Sequence, residues 1–211
     1  IYYVEMLRNQ PDNIYREAAG LDFSIPGDIN SSEEYYMNDY VDNVWGLGGA
    51  KIASEIHMSL FLNFLRAQAF DRYRISRGGK ATIEELTVFA EYLNEVTGRK
   101  KYKDVEAAIN KVGKYVLFAP RLYLTRMTSL WTGLKAGVTA IPGVKSSIPK
   151  PVAYRIVKDY LRYGATVGVL HAILISLGGS FEDDPEDKNF GKVYLGDHVL
   201  DLSTGHRQST S

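Results

Sequence analysis

Few side chains in this sequence have the type and spacing that chemistry requires. The four histidines are His57, His171, His198 and His206, and no two of them stand at a ligand-sharing spacing. His57 has no nucleophile elbow or other catalytic motif around it. His171 falls in an apolar stretch and is expected as a hydrogen-bonded core residue. The chain has no cysteine, which excludes a thiol nucleophile, a thiolate zinc site and a disulfide framework. GLGGAK (46–51) precedes a helical pattern, and a helix N-terminus attracts anions. It lacks P-loop spacing and follows no strand, so a hinge is expected. EDDPEDKN (182–189) brings five acids into eight residues. Hard cations need several oxygens, but the spacing does not match an EF-hand loop, and a solvated acidic turn is expected. No catalytic residue, cofactor or metal is assigned, and an enzyme is not expected.

The charge pattern is more informative. The chain has 211 residues, 25 bases and 25 acids. Residues 1–60 hold ten acids against three bases, and residues 99–162 hold fourteen bases against three acids. Residues 181–211 turn acidic again, seven against three. A basic centre of this size attracts nucleic acid, an anionic lipid surface or the protein's own acidic segments. The candidate surface for an anionic partner is Arg99, Lys100, Lys101, Lys103, Arg121, Arg126, Arg155, Lys158 and Arg162.

Helices must position these residues. Ile52, Ile56, Leu60 and Phe64 repeat every four residues, with Phe61 and Leu65 beside them, which predicts a buried helical stripe. Gly78-Gly79 should stop that helix. Thr82 and Glu85 form a capping box for a second helix with Leu86, Phe89, Ala90 and Leu93 on one face. Ser31 with Glu34 matches another box, and Asp104 is a candidate N-cap. Pro120 should break or kink the chain before a helix over 121–134 carrying Leu122, Met127, Leu130 and Trp131. GVTAIPGVKSSIPKP (137–151) reads as a linker, with Pro149 and Pro151 suited to the start of the next helix.

That last helix has two characters. Arg155, Lys158 and Arg162 share a stripe in its first half, while residues 163–181 contain no charge. A 19-residue uncharged run with Gly164 and Gly168 approaches the minimum for a membrane span and allows close helix packing. Thr166, His171, Ser176 and further glycines dilute it, so a buried bundle helix is expected and conditional insertion stays open. The end, FGKVYLGDHVLDLSTG, alternates around Gly196-Asp197 and predicts a β-hairpin of Val193–Leu195 and Val199–Asp201.

The expected fold class is mainly α: an irregular helical bundle with an extended N-terminal arm and a small C-terminal β-hairpin. The expected divisions are an acidic arm over 1–44, a helical domain over 45–180, and an acidic turn, hairpin and polar tail over 181–211. IYYVEMLRNQ lacks the basic and apolar regions of a secretory signal. The opening on Ile1 leads us to expect a fragment, a processed product or the ordered part of a longer chain.

Three segments resemble blocks of the large polyvalent proteins of phages and prophages. They are SEIHMSLFLNFLRAQAFDRY, then FAEYLNEVTGRKKYKDVEAAINKVGKYVLFAPRLYLTRM, then DKNFGKVYLGDHVLDLSTGHRQ, in the family's order across residues 50–208. The closing block departs from the pattern, with Asn189 in place of Asp and Gly205-His206-Arg207-Gln208 in place of the usual ending. The resemblance implies a protein packaged in phage heads or encoded beside head genes, and carries over no catalytic residue. The expected function is therefore that of a virion protein, an internal or ejection component in the capsid or near the portal. Its expected partners are other virion proteins, further copies of itself, genomic DNA through residues 99–162, and a membrane through residues 152–180. The alternatives are a membrane-active conduit segment and an injected effector that blocks a host defence enzyme.

Overall fold

A computed structural model describes residues 2–23, 48–97, 120–184, 186–187 and 189–200, with backbone alone for 2–4, 48–60, 120–124 and 126. The described chain is mainly helical, with a small antiparallel sheet near the C-terminus. Its elements are α1 (Tyr2–Arg8), α2 (Asn13–Ala18), α3 (Gly48–Ser76), α4 (Ile83–Val96), α5 (Pro120–Ala140) and α6 (Lys150–Ser176). The strands β1 (Ser180–Phe181), β2 (Val193–Leu195) and β3 (His198–Leu200) follow. The chain divides into two compact units, residues 1–132 with 146–152, and residues 133–145 with 153–211. The sheet shares a unit with most of α6.

In the first unit, α1 packs on α3, α2 on α4, and α3 on α4. The capping box forms in part: Thr82 Oγ1 accepts the Glu85 backbone N–H at 3.2 Å and starts α4. From that start, Leu86, Phe89, Ala90 and Leu93 fall on one buried face, as their spacing predicts. Phe89 is fully buried and stacks on Tyr73 at 4.1 Å between ring centroids. Gly78 and Gly79 take positive φ, +56° and +77°, just past the end of α3, which is why glycine can stop this helix.

The face that α3 buries differs from the expected stripe. Ala67, Phe70 and Tyr73 are buried, together with Asn63 and Arg66, whereas Phe61, Phe64 and Leu65 are exposed. Charged and amide side chains that reach partners have displaced larger apolar ones from the inward face. The side chains of Ile52, Ile56 and Leu60 lie outside the described set.

The expected extended arm is also corrected for residues 2–23. They form α1 and α2, and Leu7, Asn13, Arg16, Ala19, Leu21 and Phe23 are buried. Gly20, at φ +75°, closes α2, with its N–H on Glu17 O and the Leu21 N–H on Arg16 O. Residues 24–44, including the Ser31–Glu34 box, lie outside the described residues, as does Asp104.

In the second unit, the end of α5 meets α6. A Cβ on Gly133 would lie 2.9 Å from the Tyr160 ring, and the Tyr154 hydroxyl donates to Ala140 O at 3.1 Å. Pro120 is the first residue of α5, where a missing N–H costs nothing. The helix runs to Ala140, so the expected linker shrinks to residues 141–149. The hairpin forms around Gly196-Asp197, with Leu195 opposite His198, one residue earlier than expected. The sequence reading missed β1, which pairs with β2 through Ser180–Tyr194 and Phe181–Val193. Gly178 (φ +92°) ends α6, with its N–H on Ile175 O and the Gly179 N–H on Leu174 O. These two hydrogen bonds satisfy two of the helix's last carbonyls and turn the chain into β1.

Candidate interaction surface

Of the nine basic candidates, Arg155, Lys158 and Arg162 have side chains among the described residues. Arg99, Lys100, Lys101 and Lys103 lie outside the described residues. Arg121 and Arg126 lie on α5, their side chains outside the described set. Arg155, Lys158 and Arg162 lie on α6, and here the structure adds what spacing alone did not weigh. Asp159 accepts from Arg155 Nε at 2.9 and 3.0 Å and lies 4.0 Å from an Arg162 nitrogen. One carboxylate thus offsets part of the stripe, whose members Lys158 and Arg162 are exposed. A pair spaced i, i+4 on a helix draws such charges together by a few tenths of a kcal/mol.

The second half of α6 is not the buried bundle helix that its missing charge suggested. Leu161, Val169 and Leu177 are 58–68% exposed, and Tyr163, Leu170, Ile173 and Ile175 are exposed as well. Only Val167, His171 and Leu174 are partly covered, along one side of the helix. His171 Nδ1 lies 2.8 Å from Val167 O, its Nε2 lies 3.4 Å from Gly191 O, and its ring meets Phe181 edge-on. His171 is therefore a hydrogen-bonded residue, as expected, but one at the helix–sheet seam rather than in a core. A Cβ on Gly164 or Gly168 would meet nothing within 4 Å. Among the described residues, no helix is long and apolar enough to cross a membrane.

Among the described residues, no group of three or more His, Asp or Glu side chains is placed to hold a metal ion. In the acidic turn, Asp184 accepts the Glu186 N–H at 2.9 Å and Asp187 accepts the Asn189 N–H at 2.6 Å. Those carboxylates are used to shape the turn. His198 is exposed on β3, and the side chains of His57 and His206 are outside the described set.

Sequence reasoning missed the buried polar network of the first unit. Arg16 donates from Nε to Asp71 Oδ1 at 3.1 Å and from Nη2 to Asp71 Oδ2, tying α2 to α3. Arg74 donates to Asp12 at 2.6 Å and lies over the Tyr15 ring at 4.4 Å. Glu85, placed by the capping box, accepts from Tyr73 Oη and Arg77 Nε, both at 2.6 Å. Its hydrogen bond raises the Arg77 pKa above the ordinary value. Asn94 accepts from the Asp22 N–H at 3.0 Å and donates to Gly20 O at 2.9 Å, fixing the end of the N-terminal segment on α4. Thr132 donates to the buried Glu95 at 3.1 Å. Such groups persist in an interior because their partners replace water. The arrangement can hold helices in place.

No family model matches this chain, and neither the curated proteins nor the solved structures contain a match to it.

Proposed function

We propose that this chain is a bacteriophage virion protein, an internal or ejection-type component in the capsid or near the portal, that acts by assembly and helps package or deliver the genome. The observation that carries the assembly part is the exposed apolar set on and just past the second half of α6, from Leu161 and Tyr163 to Ile175 and Leu177. Soluble monomers seldom leave a contiguous apolar surface of this extent uncovered. The phage part is supported by the ordered resemblance of residues 50–208 to large polyvalent proteins. The partners on this reading are other virion proteins and further copies of the chain, with genomic DNA against the basic residues of 99–162. Phosphate contacts would make that last interaction weaken steeply with salt.

The test is a phage encoding this chain, in which Leu161→Asp is introduced. Leu161 is 68% exposed, so the variant chain should fold. The parent chain should band with particles in a density gradient, and the variant chain should stay in the soluble fraction. A parent chain that never bands with particles would refute the virion reading.

A second reading is favoured by the same half-helix, namely contact with a membrane during delivery through residues 152–180. Flotation of the chain with anionic liposomes tests it, and a chain that remains at the bottom of the gradient argues against it.

A further inference from the structure

Helix α5 is built with its large apolar residues outward. Its inward positions are small or polar: Thr125, Ser129, Ala136 and Thr139 are buried. The opposite side carries Met127, Leu130, Trp131, Leu134 and Val138, with Ile141 just past the helix end, all 47–65% exposed. Positions 127, 131, 134, 138 and 141 step by four, three, four and three. That is the a/d spacing by which one helix packs along another. The hydrophobic effect would bury this side before the Thr and Ser side if the isolated chain were the final state.

We infer that this face of α5 is a self-association seam, occupied by the same face of α5 from a second copy of the chain. Six apolar side chains, each about half exposed at roughly 200 Å² apiece, offer on the order of 600 Å². A standard specific interface takes about 800 Å² per partner, and small specific ones take less, so this strip covers most of what a dimer needs. The seam is also complementary to itself. In an antiparallel pair centred on Leu134, that residue meets its own copy, Leu130 of one copy falls against Val138 of the other, and Met127 against Ile141, so these layers are apolar. Between residues 127 and 141 the only charge is Lys135, one step off the seam, so no charged side chain is buried at the seam positions.

Other occupants fit less well. A lipid-facing helix shows a broad apolar face and a charged, solvated one, whereas the back of α5 is buried within the chain. A nucleic acid backbone gains nothing from an uncharged strip. The inference deepens the assembly reading by naming a partner, and it fails separately: a chain absent from particles can dimerise, and a chain present in them can be monomeric.

The test is sedimentation equilibrium of the full chain and of Leu134→Glu. The parent should self-associate below about 100 μM, and the variant should associate on the order of 30-fold more weakly with an unchanged helical spectrum. A monomeric parent, or a variant that associates equally well, overturns the inference. Should Leu134→Glu fail to fold, Leu134→Cys serves, since the chain has no other cysteine. Oxidation should link it into a dimer faster than Ser146→Cys, an exposed control outside the seam. Equal rates overturn the proposal. So does a monomeric parent that binds phosphatidylglycerol–phosphatidylcholine vesicles when Leu134→Glu does not, which would assign the face to lipid.

Discussion

Removing Asp71 should cost the fold more than removing the arginine it holds. Arg16 is 2% exposed and has three acceptors: Asp71, Leu7 O at 3.3 Å and Gln10 Oε1 at 2.9 Å. Asp71→Ala leaves two neutral acceptors and no counter-charge. Breaking a buried pair this way costs about 3–5 kcal/mol. The Asp71 side chain is 17% exposed, so water can enter where it stood, and the lower end, about 3 kcal/mol, applies. Arg16→Met removes the charge and leaves Asp71 beside water. Its cost is the lost hydrogen bonds, offset by an apolar side chain of similar length, about 1 kcal/mol. The two variants should therefore differ by about 2 kcal/mol, or roughly 30-fold in the unfolding constant. Arg16→Met/Asp71→Leu should be more stable than Asp71→Ala alone. Urea unfolding followed by circular dichroism measures all three, by linear extrapolation. Equal costs for the two single variants, or an Asp71→Ala cost under about 1 kcal/mol, would refute the claim that this pair is buried and clamps α2 to α3.

Three further outcomes are expected. Phe89→Ala, at a fully buried ring stacked on Tyr73, should destabilise by about 3–5 kcal/mol in the same urea assay. Glycine-to-alanine changes should differ in sign. Gly179→Ala would put a Cβ 2.7 Å from the Leu174 backbone oxygen and cost about 2 kcal/mol, with Gly133→Ala against the Tyr160 ring costing less. Gly164→Ala and Gly168→Ala, with open space, should each stabilise the isolated chain by about 0.5–1 kcal/mol, read as a higher Tm. Asp159→Asn removes the carboxylate that offsets this basic stripe, so affinity for short duplex DNA should rise roughly two- to fivefold at low salt and converge with the parent at high salt. An unchanged affinity in fluorescence titration would show that this stripe does not meet the phosphate backbone.

What was legible in the sequence followed from local rules. Thr82 and Glu85 announced the start of α4, Gly78-Gly79 announced the end of α3, and Gly196-Asp197 announced the hairpin. Each depends on residues within one turn of one another. Helices α1 and α2, of seven and six residues, are too short to show a hydrophobic period, so inside the acidic stretch of residues 1–60 they read as part of an arm. The pair Arg16–Asp71 joins residues 55 apart, and no spacing rule reaches that far. The two-residue strand β1 needs its partner β2 to be recognised at all.

The side chains of α5 and α6 show a different limit. Sequence reports that Met127, Leu130 and Trp131 share an apolar helix, and that residues 163–181 lack charge. Apolar composition implies that something should cover these surfaces. It does not say whether the cover comes from the same chain, and in the described structure these residues stay exposed. The basic candidates show it in reverse, since net charge by segment overlooked how Asp159 binds Arg155 within one helix.

The proposal that this chain works inside a phage particle meets its most direct test in quantitative peptide mass spectrometry of gradient-purified particles, set against the lysate of infected cells. The account predicts peptides spanning residues 50–200 at several copies per particle. Peptides confined to the lysate, with none above background in the particles, would contradict it.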